Sequence, residues 1–359
     1  MLTKLDYYII KRFLGAFLLA LGLFTVIIIV FDLSEKIDDF IENKAPFYDV
    51  IFHYYINWVP FLLNLFSPVF VFISVIFFTS KMAQKSEIIA ILASGVSYRR
   101  LMRPYAITAL FLAFLSFILS AWIIPEADKT RVDFENQYIR ERTHYTQSQI
   151  KTQLSPGVIL SIGNFNFSDS IGYKVSLERI ENNQLKSKLY ADQMSWNEET
   201  QQWKLTKWWI RSFENGQERL KRGRSLDTII PFNPEDFFRK NDDVQMFNLA
   251  ELDEMIALEE MRGTGNTFFY STEKYKRFLM PIAIIILTLI GVSVSTKKTR
   301  GGIGLNLGVG LLISFTFLIV FQFFLAYGSS GSMHPFIAAL IPNIIFGTVA
   351  FVMYRFAQK

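Results

Sequence analysis

The sequence predicts an α-helical membrane protein with an inserted β-rich domain. Six stretches contain no Asp, Glu, Lys or Arg, and each is long enough to cross a hydrocarbon layer of about 30 Å, which takes about 20 helical residues. The composition agrees, because 51% of the 359 residues are hydrophobic and 36 are Phe. Between the third and fourth stretch lies a segment of domain size with the pattern of short strands. The six stretches are residues 13–31, 58–80, 105–125, 278–296, 303–327 and 336–354.

The chain is therefore expected to have a 3+3 arrangement of membrane helices. Helices 1–3 fall within residues 1–125, the inserted domain covers 126–276, and helices 4–6 fall within 277–359. The first stretch is predicted to be a retained span and not a cleavable signal peptide. Its apolar run is too long for such a peptide, and Phe31-Asp32-Leu33 offers no small-residue cleavage site.

The positions of Lys and Arg predict the orientation of the spans, because short cytoplasmic loops are enriched in these residues. The opposite short loops hold only Lys36 and Lys44, which stand among several carboxylates. Both termini are thus predicted to be cytoplasmic, with the inserted domain outside the cytoplasmic membrane. This topology accounts for the formal charge of +5, so no nucleic-acid partner is predicted. The basic set is Lys4, Lys11, Arg12, Lys81, Lys85, Arg99, Arg100, Arg103, Lys297, Lys298, Arg300, Arg355 and Lys359.

The inserted segment has alternating apolar positions, which is typical of half-buried strands. Turn signals at Glu181-Asn182-Asn183 and Glu214-Asn215-Gly216 predict hairpins, and an antiparallel sandwich or an open barrel fits this pattern best. Two helical pieces are expected to flank the strands, a charged helix at 126–142 and an amphipathic helix at 248–263. The alternating positions are Tyr173, Val175, Leu177, Leu189 and Ala191, followed less regularly by Met194 and Trp196.

Several kinds of chemistry are missing from the sequence. Cysteine is absent, and His53, His144 and His334 are far apart, so neither a metal site nor a cofactor is predicted. The six stretches have no ionisable residue for coupling to an ion gradient. No glycine-rich phosphate loop is present. We predict no catalytic residue, and we expect the energy for any transport to come from a partner protein.

A short helix is predicted between the second and third spans, in the stretch QKSEIIAILASGVSYRRLMRP at 84–104. Ser86 is a candidate N-cap, Glu87 provides an acidic first turn, and Gly95 is a stop signal. The apolar body between them makes the helix amphipathic. From these residues alone, the helix either docks into a partner's groove or lies flat in the headgroup region.

The same stretch resembles the cytoplasmic coupling helix of the lipopolysaccharide-export permease family (LptF/LptG, also YjgP/YjgQ), whose pattern is R/K-S-E, apolar residues and then A-S-G. The resemblance extends along nearly the whole chain. It includes LDYYIIKRFL near the N-terminus, Pro68 in span 2, Trp122 and Pro125 at the end of span 3, YKRFLMPIA opening span 4 and HPFIAALIPN at span 6.

The resemblance implies an inner-membrane permease subunit of an ABC transporter. In this family two sister permeases pair, a cytoplasmic ATPase dimer binds their coupling helices, and lipopolysaccharide passes through periplasmic jellyroll-like domains to a periplasmic bridge with a single-span partner. It also implies a coupling helix at about 86–95. The implied ATPase-coupling residues are Glu87, Ile88, Ile91, Leu92, Ala93, Ser94 and Gly95.

The resemblance further implies a lipid path with basic residues only at its outer rim. Lys36 and Lys44 are the candidates for the rim, and the apolar Val175, Leu177 and Leu189 are the candidates for lining a groove in the outer domain. This chain departs from the family where Val30-Phe31-Asp32 stands in place of a Lys at the outer end of span 1.

Two other functions are compatible with the residues. One is a permease for a different exported amphiphile, such as a lipoprotein or a glycolipid. The other is a membrane-anchored sensing or scaffold protein that transports nothing, although the chain offers no sizeable cytoplasmic output domain.

Overall fold

The computed structural model of the protein describes residues 3–139, 146–166, 169–214, 217–230, 241–263, 266–296 and 302–357. The chain forms two compact units. The helical unit comprises Met1–Ile139, Gln245–Leu249 and Phe268–Lys359, and the second unit comprises Arg140–Val244 and Ala250–Thr267.

Six helices in the described ranges are long and apolar enough to cross a membrane, as the sequence predicts. The helix between the second and third spans and the amphipathic helix after the strands are confirmed as well. In chain order the helices are α1 Lys4–Glu42, α2 Phe47–Gln84, α3 Glu87–Ala93, α4 Tyr98–Tyr138, α5 Leu249–Arg262, α6 Thr267–Ser295, α7 Gly302–Ser329 and α8 Pro335–Ala357.

The observed spans are longer than the charge-free stretches at nearly every end. α1 continues through the acidic residues to Glu42, and α4 includes most of the charged helix predicted at 126–142, of which 140–142 lie outside the described residues. The fourth span is the exception, since α6 ends at Ser295 and Thr296 lies in a bend. Charge thus predicts how much of a helix can lie in hydrocarbon, but not where the backbone hydrogen bonding stops.

Several polar side chains inside the spans form hydrogen bonds within the protein, as a hydrocarbon environment favours. Thr288 donates to the carbonyl of Ile284 one turn earlier at 2.7 Å. Others join neighbouring helices: the amide of Asn306 in α7 donates to Ser80 Oγ in α2 at 2.9 Å. Such interhelical bonds help hold apolar helices together where the hydrophobic effect cannot.

Different helices meet at the two ends of the helical unit. The end that contains the start of α1, the whole of α3 and the end of α8 is here called the terminal end. There the rings of Tyr98 in α4 and Tyr354 in α8 stand 5.8 Å apart. At the other, here called the insertion end, aromatic rings connect α1, α2 and α4. The ring of Phe40 lies 5.8 Å from that of Tyr54 and 6.0 Å from that of Phe134.

The fully buried residues of α1 lie towards its two ends. Its buried residues are Asp6, Ile9, Phe13 and Phe17 at the terminal end, followed by Asp32 and Phe40 at the insertion end. None of the residues between positions 18 and 31 is buried. The midsection of this span contacts α2 through Phe24, whose ring lies 5.3 Å from that of Phe66 and 4.7 Å from that of Phe70. It also presents exposed apolar side chains such as Leu23 and Val26.

α6 is the most enclosed span and packs tightly on α2. Gly291 makes this approach possible, because a Cβ atom at that position would lie 2.9 Å from Cδ2 of Phe72 and 3.0 Å from Cγ1 of Val75. Small residues at helix interfaces permit such close packing in membranes.

In its described ranges the second unit contains one six-stranded antiparallel sheet, in which every strand pairs with its neighbour in sequence. The predicted antiparallel pairing is confirmed, and of the two predicted arrangements the described sheet corresponds to the open barrel and not to the two sheets of a sandwich. Asn182 and Asn183 both have positive φ in the β3–β4 turn, as the hairpin prediction requires. The second predicted hairpin has its turn outside the described residues. The strands are β1 Thr146–Ser155, β2 Val158–Asn166, β3 Ile171–Glu181, β4 Gln184–Asn197, β5 Gln202–Glu214 and β6 Gln217–Thr228.

The inward–outward alternation of side chains is interrupted at one residue in each of the six strands, and we call this row of six residues the crease. The crease residues lie opposite one another in the register. The three on β1, β3 and β5 have positive φ, of 56°, 54° and 50°. Inward positions on the two sides of the crease are three residues apart, as in Val175 and Gly172, instead of the two that an uninterrupted strand would give. The crease residues are Gln149, Gly163, Lys174, Asp192, Lys207 and Arg224.

Because of the crease, the predicted alternation is wrong at Tyr173. The sequence pattern predicts Tyr173 on the same face as Val175 and Leu177, but Tyr173 is 43% exposed, whereas Val175 is buried. The same phase change explains the irregular spacing of Ala191 and Met194, which are both buried.

The sheet curves strongly enough for its inner face to close on itself. The rings of Phe165 in β2 and Trp203 in β5 are 6.3 Å apart and both fully buried. Strands three positions apart in a flat sheet would be separated by about 14 Å. The inner face thus forms the core of this unit.

We expect Gly291→Val to destabilise the helical unit. The new side chain would collide with Phe72 and Val75, and overpacking of this kind costs about 1–3 kcal/mol. Thermal unfolding of the detergent-solubilised protein measures the loss. Gly308→Val in α7 is the control, since nothing lies within 4 Å of a Cβ atom there. Equal melting temperatures for the two variants would contradict the packing role of Gly291.

Candidate functional site

The short helix α3 is joined to its two neighbouring spans by very short connections. Only Lys85 and Ser86 separate it from α2, and only positions 94–97 separate it from α4. With seven residues it has about two turns. Any displacement of α3 must therefore pull on one or both of these spans.

Two predicted signals at the ends of α3 have different outcomes. Gly95 has φ of +89°, and its N–H donates to the carbonyl of Leu92 at 3.1 Å, so the predicted stop is confirmed. The prediction of a capping hydrogen bond from Ser86 is wrong. Ser86 precedes the helix with φ of +58°, not in the extended conformation that aims a capping side chain at the first turn, and its hydroxyl caps nothing.

The apolar residues of α3 divide between two faces. Ile88 is 2% exposed and belongs to the buried cluster that includes Phe13 and Leu101, with Ile91 partly buried against it. Ile89 and Leu92 are 56% and 38% exposed. Ile88, one of the coupling residues that the resemblance implies, is thus a buried side chain that fixes α3 to the spans. The remaining predicted coupling residues Ala93, Ser94 and Gly95 are exposed.

Glu87 opens α3 beside the start of α1. The hydroxyl of Tyr8 donates to Glu87 Oε2 at 3.4 Å, a long hydrogen bond in an exposed setting. The guanidinium of Arg12 lies 5.5 Å from the centre of the Tyr8 ring. Glu87 thus keeps its charge accessible while it contacts α1.

A bidentate ion pair connects the first turn of α1 with the first turn of α4. Arg100 Nη1 donates to Asp6 Oδ1 at 2.6 Å, and Nη2 donates to Oδ2 at 2.7 Å. The same carboxylate accepts the backbone N–H of Thr3 at 2.7 Å as part of a capping box, and Nη2 also donates to Thr3 Oγ1 at 3.2 Å. Asp6 is 1% exposed, so this is a geometrically fixed pair.

Of the two lysines predicted at the outer rim of a lipid path, Lys36 is paired with a carboxylate and Lys44 is exposed. Lys36 Nζ lies 2.9 Å from Asp32 Oδ1, donates to the hydroxyl of Tyr54, and stands 5.3 Å from the centre of the Trp58 ring. Lys44 lies exposed in the turn after α1 with φ of 52°. The Asp32 carboxylate balances the charge of Lys36, so Lys44 is the more accessible cation.

A small cavity with both apolar and polar walls lies among α2, α4 and α6 towards the insertion end. Asn64 Oδ1 accepts the hydroxyl of Ser116 at 2.7 Å on one side of it. On the other side Arg277 is 3% exposed and donates to the carbonyls of Gln245 and Phe247 and to Glu273. These bonds occupy the guanidinium, which anchors the backbone at 245–247 to α6.

The three predicted groove residues of the sheet lie on its inner face, but they differ in burial. Val175 is 2% exposed and belongs to the packed core, whereas Leu177 and Leu189 are only partly buried against that core. Leu177 and Leu189 are directly paired across β3 and β4. Partly open apolar surface thus occurs near the hairpin turns, away from the buried Phe165 and Trp203.

No cluster of metal-binding side chains occurs within the described ranges.

The family model for the lipopolysaccharide export system permease LptF/LptG matches residues 7–355. The chain belongs to the LptF/LptG family. It is also 20% identical over 309 residues to an uncharacterized protein of Aquifex aeolicus (strain VF5), with 82% of each chain covered. Together with six membrane-capable helices, LptF/LptG membership makes this a multi-pass inner-membrane permease subunit of the lipopolysaccharide-export type. The matched range includes α3, the ion pair partner Arg100 and the whole sheet.

Sequence reasoning missed three features of this LptF/LptG chain. The sequence shows Ile89 only as part of the apolar body of α3, although it is the most exposed of the large apolar residues of the helix. Asp6 was overlooked, and Arg100 was counted only as one of many basic residues. An acidic residue three positions after Thr3 at a helix start is a capping-box-like signal that could have identified Asp6.

We expect Ile88→Ala to loosen α3, because truncation of a buried Ile costs about 2–5 kcal/mol. Ile89→Ala is the matched control, since the same change at an exposed position leaves stability nearly unchanged. Thermal unfolding and limited proteolysis at positions 84–97 measure the difference. Greater destabilisation by Ile89→Ala would contradict the assignment of the two faces.

Proposed function

We propose that this chain is one of two paired permease subunits that extract lipopolysaccharide from the inner membrane, driven by a separate cytoplasmic ATPase dimer that grips α3. The observation that carries the proposal is the construction of α3. Its inner face is fixed by Ile88, its outer face presents Ile89 and Leu92, and its connections to α2 and α4 are minimal.

The two faces of α3 favour docking over lying flat on the membrane. A surface helix that only rests on lipid needs one apolar face. Here one apolar face is already buried against the spans, and a second remains exposed next to the Glu87 carboxylate. An apolar pair beside a charge suits a protein groove with a basic residue at its rim.

The proposed orientation follows the positive-inside rule. It places the terminal end of the helical unit, with α3, in the cytoplasm, and it places the sheet in the periplasm. A soluble ATPase can then reach α3, and a periplasmic bridge or its single-span partner can reach the sheet. Lys44 would lie at the periplasmic surface, where anionic head groups of the lipid are found.

Pairing with a sister permease is supported by α1 and α7, whose exposed sides are apolar. Leu19 and Val26 of α1 are 66% and 63% exposed, and Leu312 and Ile319 of α7 are 71% and 69% exposed. Surfaces of this kind suit either acyl chains or another apolar helix. A lipid with several acyl chains needs such a surface to leave the bilayer.

We predict that Glu87→Lys abolishes co-purification of the ATPase, whereas Glu87→Gln only weakens it. A carboxylate paired with a cationic group contributes about 1.5–3 kcal/mol, and reversal replaces that attraction with repulsion. Glu87→Gln keeps the shape and an acceptor for Tyr8. Pull-down from native membranes measures the recovery, and an unchanged melting temperature shows that folding is intact. Full ATPase recovery with Glu87→Lys would overturn the docking role.

We predict that a photoreactive residue at Leu177 captures lipopolysaccharide only when ATP and the complete complex are present. A residue at neighbouring Ser176 should not, because Ser176 pairs with Tyr190 on the opposite face of the sheet. Denaturing electrophoresis with lipid staining detects the adduct. Equal labelling at both positions, or labelling that ignores ATP, would mean that the sheet is no lipid conduit.

A further inference from the structure

The buried residues of α1 form two anchors, one towards each end of the helix. No residue between positions 18 and 31 is buried, and the contacts of that stretch, such as Phe24 with Phe66 and Phe70 of α2, are made by partly buried apolar side chains. At the insertion end the anchor consists of Asp32 and Phe40, and at the terminal end it consists of Asp6, Ile9, Phe13 and Phe17. Because α1 is one continuous helix of 39 residues, a displacement at one anchor is expected to be carried along the helix to its midsection.

The terminal anchor of α1 adjoins the coupling helix. Ile9 and Phe13 belong to the same buried cluster as Ile88 of α3 and Leu101 of α4. Apolar contacts such as these are not directional, so the side chains can shift against one another. The Asp6–Arg100 pair in the same region is held in fixed geometry by five hydrogen bonds, four to the carboxylate and one from Arg100 to Thr3 Oγ1.

Arg100 stands where a displacement of α3 first reaches α4. After Gly95 the chain needs only Val96 and Ser97 before α4 begins. Ser97 caps α4 by accepting the backbone N–H of Arg100 at 3.2 Å, so Arg100 is fixed within the first turn. Its side chain then passes across to α1. The other direct polar contact, from Tyr8 to Glu87, is long and exposed, and its acceptor is the proposed docking residue.

We propose that the Asp6–Arg100 ion pair is a positioning link that transmits movement of α3 to α1. The inference rests on the proposed function, because it assumes that an ATPase moves α3. Both residues act through the position of α1. The pair makes the apolar midsection of α1 respond to the state of the ATPase.

The test uses the complete complex, purified with its native partners, and four versions of this chain. Arg100→Asp places two carboxylates together, and Asp6→Arg with Arg100→Asp restores opposite charges in exchanged positions. Arg99→Asp is the control for charge and location, since Arg99 is exposed and no ion pair is found for it in the described part of the chain. Asp6→Asn is a milder version that keeps the size of the side chain.

Three quantities are measured for each version: ATPase recovery, ATP hydrolysis, and lipid released per ATP. A fourth readout reports the position of α1. The natural chain has no Cys, so spin labels can be attached at Leu23→Cys in α1 and Phe77→Cys in α2, both of which replace exposed residues. A purely structural role for the pair would change the melting temperature but not the nucleotide-dependent change in this distance.

We expect Arg100→Asp to retain ATPase binding and hydrolysis while lipid released per ATP falls at least about tenfold and the ATP-dependent distance change disappears. The exchanged pair should recover release to within about threefold of wild type, because the interaction is restored. Recovery is incomplete because Arg at position 6 loses the capping box and places a cation at a helix N-terminus. Asp6→Asn should release an amount of lipid per ATP between those of Arg100→Asp and wild type. Arg99→Asp should release as much lipid per ATP as wild type.

The inference is overturned if Arg100→Asp matches Arg99→Asp, or if the exchanged pair recovers neither release nor the distance change. If Arg100→Asp does not accumulate as a folded complex, Asp6→Asn decides in the same way, and wild-type coupling in that variant counts against the link. Failure of the wild-type complex to release lipid with ATP contradicts the proposed function instead, so the two failures are distinguishable.

Discussion

The burial of Ile88 is the interaction on which the arrangement at the terminal end depends. This side chain joins α3 to a cluster that contains residues of α1, α2, α4 and α6. Without it, a helix of seven residues would have little reason to persist, since isolated helices this short are unstable in water. With it, the helix becomes a fixed projection of the spans whose outer side is still open to a partner.

Membrane thermodynamics explains why the spans are predictable from sequence. A charged residue in hydrocarbon is costly, and backbone groups there must be satisfied internally, so long charge-free stretches leave no alternative to helices. All six spans, the amphipathic α5 and the hairpin at Asn182-Asn183 follow from such local rules. The stop at Gly95 follows as well, because a left-handed residue at that place favours glycine.

Features that depend on contacts between distant residues could not be predicted in the same way. The exposed and buried faces of α3 are set by where α1 and α4 pack, so Ile88 and Ile89 look equivalent in the sequence. The contact between Asp6 and Arg100 spans 94 positions and has no local pattern. The crease likewise escapes prediction, since Lys174 and Lys207 adopt positive φ where glycine would be expected.

The crease also limits how the sheet can change in evolution or by design. Strand alternation restarts at this line, so each strand carries two independent patterns of inward and outward residues. An inserted or deleted residue between the crease and a turn would reverse the faces of that half-strand only, while the other half kept its own. A change at the crease itself would shift the register of a strand against both neighbours at once. Length variation should therefore be confined to the turns, and the six crease positions should stay opposite one another in the register even where their side chains differ.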